Sequence, residues 1–239
     1  MERVQVHGFQ LDIDPAQDPF GVVKGILKGW YEASEVKVAR ALLKPEDRVV
    51  ELGAGLGMVT CALSAIVGPA NVIAFEPNAE IAPRARHHLA LNGFDTRVEE
   101  GLCRPRACLA QTQQARPESP AKARFRLAKA FWASGLEAEG RDGGDGPLVD
   151  VAVRPLEDVL AAHRASILVM DIEGGEIEIL EEADLTGLRA IALETHEGMV
   201  GRGRTNAAIR AACARGFDID FALTQDGIVV LRRAEEATA

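Results

Sequence analysis

The run Val49-Val50-Glu51-Leu52-Gly53-Ala54-Gly55-Leu56-Gly57 constrains this chain more than any other part of it. An apolar stretch ends at a carboxylate, three alternate glycines follow, and Val59, Leu63 and Ile66 then recur at helical spacing. That pattern reads as strand, tight turn and helix. The glycines permit positive φ and close approach of a ligand to the backbone, and the helix start offers unpaired N–H groups. Such a turn serves nucleotide-like ligands. A dinucleotide fingerprint, G-x-G-x-x-G, would need a glycine at position 58, and Met58 stands there, which weighs against a nicotinamide cofactor.

Bulk properties narrow the field further. With 239 residues, 47% of them hydrophobic, the chain can build one core of good size and has little room for two. A formal charge of −9 argues against general nucleic-acid binding, which needs a basic face to displace counterions. The basic residues that do cluster (Arg97, Arg104, Arg106, Arg116, Lys122, Arg124, Arg126 and Lys129) read as a solvated surface. Cys61, Cys103, Cys108 and Cys213 form no C-x-x-C pair and lie at no zinc-ligand spacing, so neither a metal cluster nor a disulfide framework is expected. No apolar run approaches the ~20 residues that span a bilayer, and no basic and apolar leader opens the sequence. The expectation is a soluble, cytoplasmic protein without membrane association.

Along the chain, Val4 and Val6 alternate before His7-Gly8 and Phe9, Leu11 and Ile13 after it, the pattern of a hairpin. Val22, Val23, Ile26, Leu27 and Trp30 then share a helical face, and Val36, Ala39, Arg40 and Leu43 predict a second helix stopped by Pro45. Residues 1–44 thus form an N-terminal cap ahead of a domain over residues 45–239. From Arg48 strands and helices alternate: Val49 to Leu52, a helix ending near Gly68-Pro69, a strand closing at Phe75-Glu76, and a helix that Asn78 can cap and Asn92-Gly93 closes. A short strand spans Thr96 to Glu100. Two further strands, ending in Asp171 and Glu194, flank a helix carrying Ile177, Leu180 and Ala183. A helix over Ala207 to Ala214 precedes an antiparallel pair joined through Asp226-Gly227. This order gives a mostly parallel α/β sheet with an antiparallel end.

Residues 101–150 interrupt that rhythm. Gln111 to Ala123 and Glu137 to Pro147 have loop composition, and residues 104–147 are expected to form a mobile lid. Phe125-Arg126-Leu127 and Ala130-Phe131-Trp132 are candidates for a strand and a pocket wall, while Val149 to Val153 alternates as an exposed strand does.

In open parallel sheets ligands lie outside the carboxyl ends of the strands, which is where the acids fall. Glu76, followed by Pro77, can accept both hydroxyls of a ribose. Phe75, Gly101 and Leu102 are candidates to border an adenine. Asp171-Ile172-Glu173-Gly174-Gly175-Glu176 runs from a strand directly into a helix and carries more acids than helix capping needs. With conventional strand order, Asp171 and Glu173 face Glu194-Thr195-His196-Glu197, bringing acids and a histidine together for proton removal or for holding a hydroxyl.

Four segments together, Glu51 to Gly57, Phe75-Glu76-Pro77-Asn78, Val169 to Glu176 and Leu193-Glu194-Thr195-His196, resemble the FkbM-type family of class I S-adenosylmethionine (SAM) methyltransferases. The G-x-G-x-G spacing fits that class, and the D-x-E-G-x-E pattern after a strand is the most diagnostic part. The resemblance runs from about Lys44 to Glu197, with the middle loops poorly matched. It implies a Rossmann-like sheet of order 3-2-1-4-5-7-6 with the last strand antiparallel, and SAM-dependent methylation of an oxygen on a sugar or other small-molecule acceptor. By that resemblance Glu51 holds the methionine ammonium. Gly53, Ala54, Gly55, Gly57, Glu76, Pro77, Gly101, Leu102 and Asp171 complete the cofactor site. His196 is then a candidate base, with Asp171 or Glu194 orienting it or the hydroxyl. A second arrangement has Asp171, Glu194 and His196 binding a divalent cation that grips the acceptor oxygens. The rival readings are a SAM-binding or nucleotide-binding regulatory subunit without catalysis, which a degraded site would mark, and a nicotinamide-dependent oxidoreductase, which Met58 disfavours.

Overall fold

The computed structural model describes residues 1–113, 122–126, 135–136 and 146–234. Strands β1 (Glu2–Val6) and β2 (Phe9–Ile13) pair antiparallel. His7 and Gly8 between them both take positive φ, 52° and 96°, as a two-residue hairpin turn demands. Helices α1 (Phe20–Lys28) and α2 (Ala33–Leu42) follow. Val22, Val23 and Ile26 are buried as expected, but Leu27 and Trp30 are 62% and 65% exposed. Leu27 lies about 100° around the helix from Ile26, and Gly29, left-handed at φ 68°, ends α1 before Trp30 can join its face.

The core alternates strand and helix: β3 (Val49–Leu52), α3 (Met58–Val67), β4 (Val72–Glu76), α4 (Ala82–Leu91) and β5 (Arg97–Glu100). Asn78 does not cap α4; its Oδ1 accepts the Glu80 N–H at 2.9 Å and closes a turn before the helix. The next elements are β6 (Leu102–Arg104), α5 (Arg106–Gln113), β7 (Lys122–Arg126), β8 (Gly135–Leu136), β9 (Leu148–Pro155) and α6 (Leu156–His163). The chain continues through β10 (Ile167–Met170), α7 (Glu176–Glu182), β11 (Ala190–Glu194), α8 (Glu197–Val200), α9 (Arg202–Ala214), β12 (Phe217–Ile219) and β13 (Ile228–Arg233). Helix α9 starts earlier than its apolar pattern does, because Gly201 (φ 86°) sets its start and its first turn is polar.

Seven strands form one sheet in the order β5-β4-β3-β10-β11-β13-β12. Counted along the chain, this is the expected 3-2-1-4-5-7-6, with β13 antiparallel to both neighbours. Strands β3, β10 and β11 pair parallel in the middle. They read as unbroken apolar runs because helices cover both faces. One face packs Val50, Leu168 and Ile191 under α6, α7 and α9, and the other packs Val49, Ile167 and Ala190 under α2 and α3.

The excursion after β5 builds a second sheet, β6-β9-β7-β8. Of the two stretches expected as loops, Gln111 to Ala123 is shorter than its composition predicts, since α5 reaches Gln113 and β7 begins at Lys122. Much of the expected lid, with Phe131 and Trp132, lies outside the described residues.

The N-terminal segment is anchored where the first glycine turn lies. Leu11, Ile13, Val22 and Val36 pack against Leu56 and Met58. Buried His88 of α4 lies 2.8 Å through Nδ1 from the Leu56 carbonyl and 3.1 Å through Nε2 from the Asp12 N–H. Burial lowers its pKa, so the ring is neutral, donating to Leu56 and accepting from Asp12. Among the described residues no helix is long and apolar enough to cross a membrane.

Candidate active site

The three glycines of the turn serve different ends. Gly53 (φ 90°) lies so close to β10 that a Cβ would sit 1.9 Å from the Asp171 carbonyl oxygen, and Gly57 (φ 82°) packs its Cα on Ala85. Both are needed for packing. Gly55 (φ 51°) meets only the Glu32 carboxylate and the Tyr31 hydroxyl, at 3.6 Å each. It is the bare backbone of the turn that faces a cavity. Ala54 is buried, and the Gly53 and Ala54 N–H groups both donate to the Phe75 carbonyl.

That cavity is a cleft of about 280 Å³ at the carboxyl ends of the strands. The turn contributes Gly53 and Gly55, and the end of β4 contributes Glu76 and Pro77. Asp171, Glu173 and Glu194 come from the ends of β10 and β11. The N-terminal segment adds Tyr31, Glu32 and Glu35, and β7 adds Phe125. Among the described residues lining it, six are carboxylates and none is basic.

Glu76 accepts the Gly55 N–H through Oε2 and the Asn78 N–H through Oε1, each at 2.9 Å. Each oxygen keeps a lone pair for a further donor. Glu51 faces a narrow adjoining cavity between α2, α3 and the sheet, which shares Glu32, Glu35, Gly53, Asp171 and Glu194 with the cleft. It is 1% exposed, and its Oε2 has no hydrogen-bond partner. Burial pushes Glu51 up to about 8, Glu76 to about 7 and, with help from Asp171, Glu194 to about 7. Burial likewise raises Glu32 and Glu35. Among the described residues lining the cleft no basic side chain accompanies these acids; just outside it, His196 stands 3.4 Å from Asp171 and Glu173.

At the end of β10 the backbone turns through Glu173 (φ 55°) and Gly174 (φ 96°) into α7. Glu176, 2% exposed, accepts the N–H groups of Ile172 (2.7 Å) and Gly174 (2.8 Å) and so holds this loop. His196, just past β11, has Nε2 3.4 Å from both Asp171 Oδ1 and Glu173 Oε2, and Nδ1 3.2 Å from Glu176 Oε1. Burial alone would lower its pKa, yet Asp171 and Glu176 raise it to about 11.

The structure thus brings Gly53, Gly55, Glu76, Pro77, Asp171 and Glu194 to one cleft, with Glu51 in the adjoining cavity. Gly57, Gly101 and Leu102 do not line it: Gly101 (φ 143°) donates to the Glu76 carbonyl and packs on Ala152, and Leu102 opens β6. The expected partners of His196 change as well. Asp171 is one, but Glu173 and Glu176, rather than Glu194, stand at ion-pair distance. Three carboxylates keep its proton in place, so it is a poor base at neutral pH. Tyr31, Glu32 and Glu35 were not legible in the sequence, since they reach the cleft only through the packing of the N-terminal segment. Phe125, expected in a strand and pocket wall, occupies both.

The sequence matches the methyltransferase FkbM domain over residues 51–219, a span that holds the glycine turn and every acidic strand end just described. The chain belongs to the FkbM methyltransferase family. FkbM membership agrees with the fold found in solved structures. A methyltransferase from Pyrococcus furiosus shares 12% identity at a TM-score of 0.50, covering 96% of this chain and 91% of that one. The ribosomal protein L11 methylase of Lactobacillus delbrueckii subsp. bulgaricus shares 16% identity at 0.44, covering 84% and 77%. Fibrillarin from Aeropyrum pernix, solved with natively bound S-adenosyl-L-methionine, shares 10% at 0.43, covering 84% and 73%. A comparison with curated proteins returned no match. The FkbM chain is thus a methyltransferase by family, and its sheet has the class I methyltransferase fold.

Proposed function

We propose that this FkbM protein uses SAM to methylate a hydroxyl of an uncharged small molecule or sugar. The observation that carries the reading is the charge of the cleft: among the described residues lining it, six carboxylates and no basic side chain, and beside them the buried Oε2 of Glu51, which makes no full hydrogen bond although the Thr60 hydroxyl lies near it. A buried carboxylate oxygen without a donor is costly, and SAM offers two cations, its ammonium and its sulfonium. The other parts fit too. Glu76 has lone pairs for a ribose diol, and Gly55 leaves backbone exposed where a side chain would intrude. The same negative field disfavours acceptors bearing phosphate or carboxylate.

When bound, SAM supplies an electrophilic methyl group. The chain's task is to place a hydroxyl oxygen in line behind that methyl, where proximity alone supplies much of the acceleration. A C–O bond would form as the C–S bond of SAM breaks, and the proton lost by the hydroxyl would pass to a base of this chain. Glu194 lines the cleft with a pKa near 7, suited to take that proton near neutrality. Asp171 beside it can accept a hydrogen bond from the hydroxyl, and Phe125 offers an apolar wall.

Calorimetry with SAM and, separately, with NAD tests the cofactor. SAM binds and NAD does not; a chain that bound NAD in preference would overturn the reading. Transfer of labelled methyl from SAM onto polyols and sugars, against phosphorylated analogues, tests the acceptor. Faster labelling of the phosphorylated set would remove the neutral-hydroxyl assignment.

A further inference from the structure

We propose that Asp171, Glu173 and His196 form a binding site for one divalent cation of the Mn²⁺ or Mg²⁺ class at the edge of the cleft. Each offers one ligand atom, and these atoms all lie within 4.8 Å of one another. The His196 Nε2 stands 3.4 Å from an oxygen of each acid. Metal–ligand bonds of ~2.1–2.2 Å separate neighbouring donors by ~3.0–3.6 Å in tetrahedral and octahedral sites, and both histidine-to-acid distances fall in that range. They are long for direct hydrogen bonds.

Two further observations point to an ion. Asp171 Oδ1 is shielded from solvent and accepts no hydrogen bond, its cationic neighbour being His196 Nε2 at 3.4 Å, so an ion at this point would take up a lone pair that nothing else engages. Behind the ring, Glu176 stands 3.2 Å from His196 Nδ1, is itself 3% exposed at its side chain, and is pinned by the Ile172 and Gly174 N–H groups. Glu176 beside Nδ1 favours the tautomer protonated there, which leaves the Nε2 lone pair on the side of the other two acids, as in carboxylate–histidine–metal sites, although Nδ1 makes no hydrogen bond in this structure. An imidazolium alone leaves surplus negative charge among three carboxylates, whereas a divalent ion on neutral imidazole balances more of it.

Asp171 and Glu173 also line the cleft, so the ion's remaining positions open toward it. On the methyl-transfer reading, they take two adjacent oxygens of the acceptor, such as a vicinal diol. The ion site itself does not depend on that reading.

Titrating the full chain with Mn²⁺ and following the free ion by electron paramagnetic resonance tests the site. The expected result is about one bound Mn²⁺ per chain. His196→Ala and Glu173→Gln lose it, Glu176→Gln weakens it by about 10–100-fold, and Glu197→Gln on the exposed side of α8 leaves it unchanged. Circular dichroism confirms folding, and the near-isosteric Glu173→Gln decides if His196→Ala does not fold. No bound Mn²⁺ in the wild type, or binding that survives Glu173→Gln, overturns the proposal. SAM calorimetry in the presence of a chelator is scored separately, so the cofactor reading and the ion site fail independently.

Discussion

The carboxylate of Glu32 accepts the backbone N–H of Val59 at 3.1 Å, so the first turn of α3 is capped from the N-terminal segment and not by its own neighbours. Glu32 itself sits left-handed at φ 50°, and Gly57, which precedes the helix, offers no side chain. Glu32→Ala is expected to cost about 1 kcal/mol, the usual worth of a lost cap, and Glu32→Gln to recover most of it. Urea denaturation of the three proteins reads the difference; equal stabilities would mean the contact contributes nothing.

The glycines of the turn should respond unequally to substitution. Gly53→Ala drives a methyl into the Asp171 carbonyl and is expected to destabilise by about 3 kcal/mol or more. Gly55→Ala meets only side-chain atoms at 3.6 Å and should cost about 1–2 kcal/mol from its left-handed backbone. Gly55→Val is expected to remain folded but lose SAM, which melting curves and calorimetry on the same sample would show together.

Protonation gives a signed expectation. The folded values of Glu51, Glu76 and Glu194 stand at about 8, about 7 and about 7, against 4.5 ordinarily. The native state therefore holds these protons more tightly, and stability falls as pH climbs from 4.5 toward 8. In the presence of a chelator, His196 acts in the same direction, its contribution full below 6.5 and lost toward about 11. Burial alone would raise Asp18 and Asp47, yet Arg84 and Arg189 hold both below 3.8, so stability also falls on strong acidification. Melting temperature should peak near pH ~5. Because SAM's cations favour the ionised carboxylates, binding at neutral pH should release protons, measurable by calorimetry in two buffers of different ionisation enthalpy. Proton uptake would contradict the charge argument.

Much of this was written locally in the chain. The glycine turn, the acids closing β4, β10 and β11, and the sheet order all follow from short-range patterns, because parallel strands buried on both faces leave continuous apolar runs. Contacts at long sequence separation were not legible. The Glu32 to Val59 hydrogen bond depends on how α1 turns into α2, and the exposure of Trp30 follows from the same turn. Among the acids near His196, composition could not rank Glu173 above Glu194; the left-handed backbone at Glu173 does so.

Phe125 is the described residue by which the second sheet reaches the cleft. Phe125→Ala is expected to raise KM for the acceptor by about tenfold, the loss of an aromatic contact, while leaving SAM affinity within about twofold. Parallel loss of SAM affinity would place Phe125 against the cofactor instead.

The neutral ring of His88 rivets Asp12 of the hairpin to Leu56 of the glycine turn, which bears on how the molecule can be cut. A fragment beginning at residue 45 would keep every motif that marks the family, yet leave this ring and the Leu56 carbonyl with half their partners missing. It would also lack Tyr31, Glu32 and Glu35 from the cleft wall. Motif boundaries and working boundaries therefore do not coincide, and a fragment cut at residue 45 is expected to bind its ligand more weakly than the chain that keeps the hairpin and α2. On the ribosome, the first hairpin made must wait for α4 before Asp12 can meet His88.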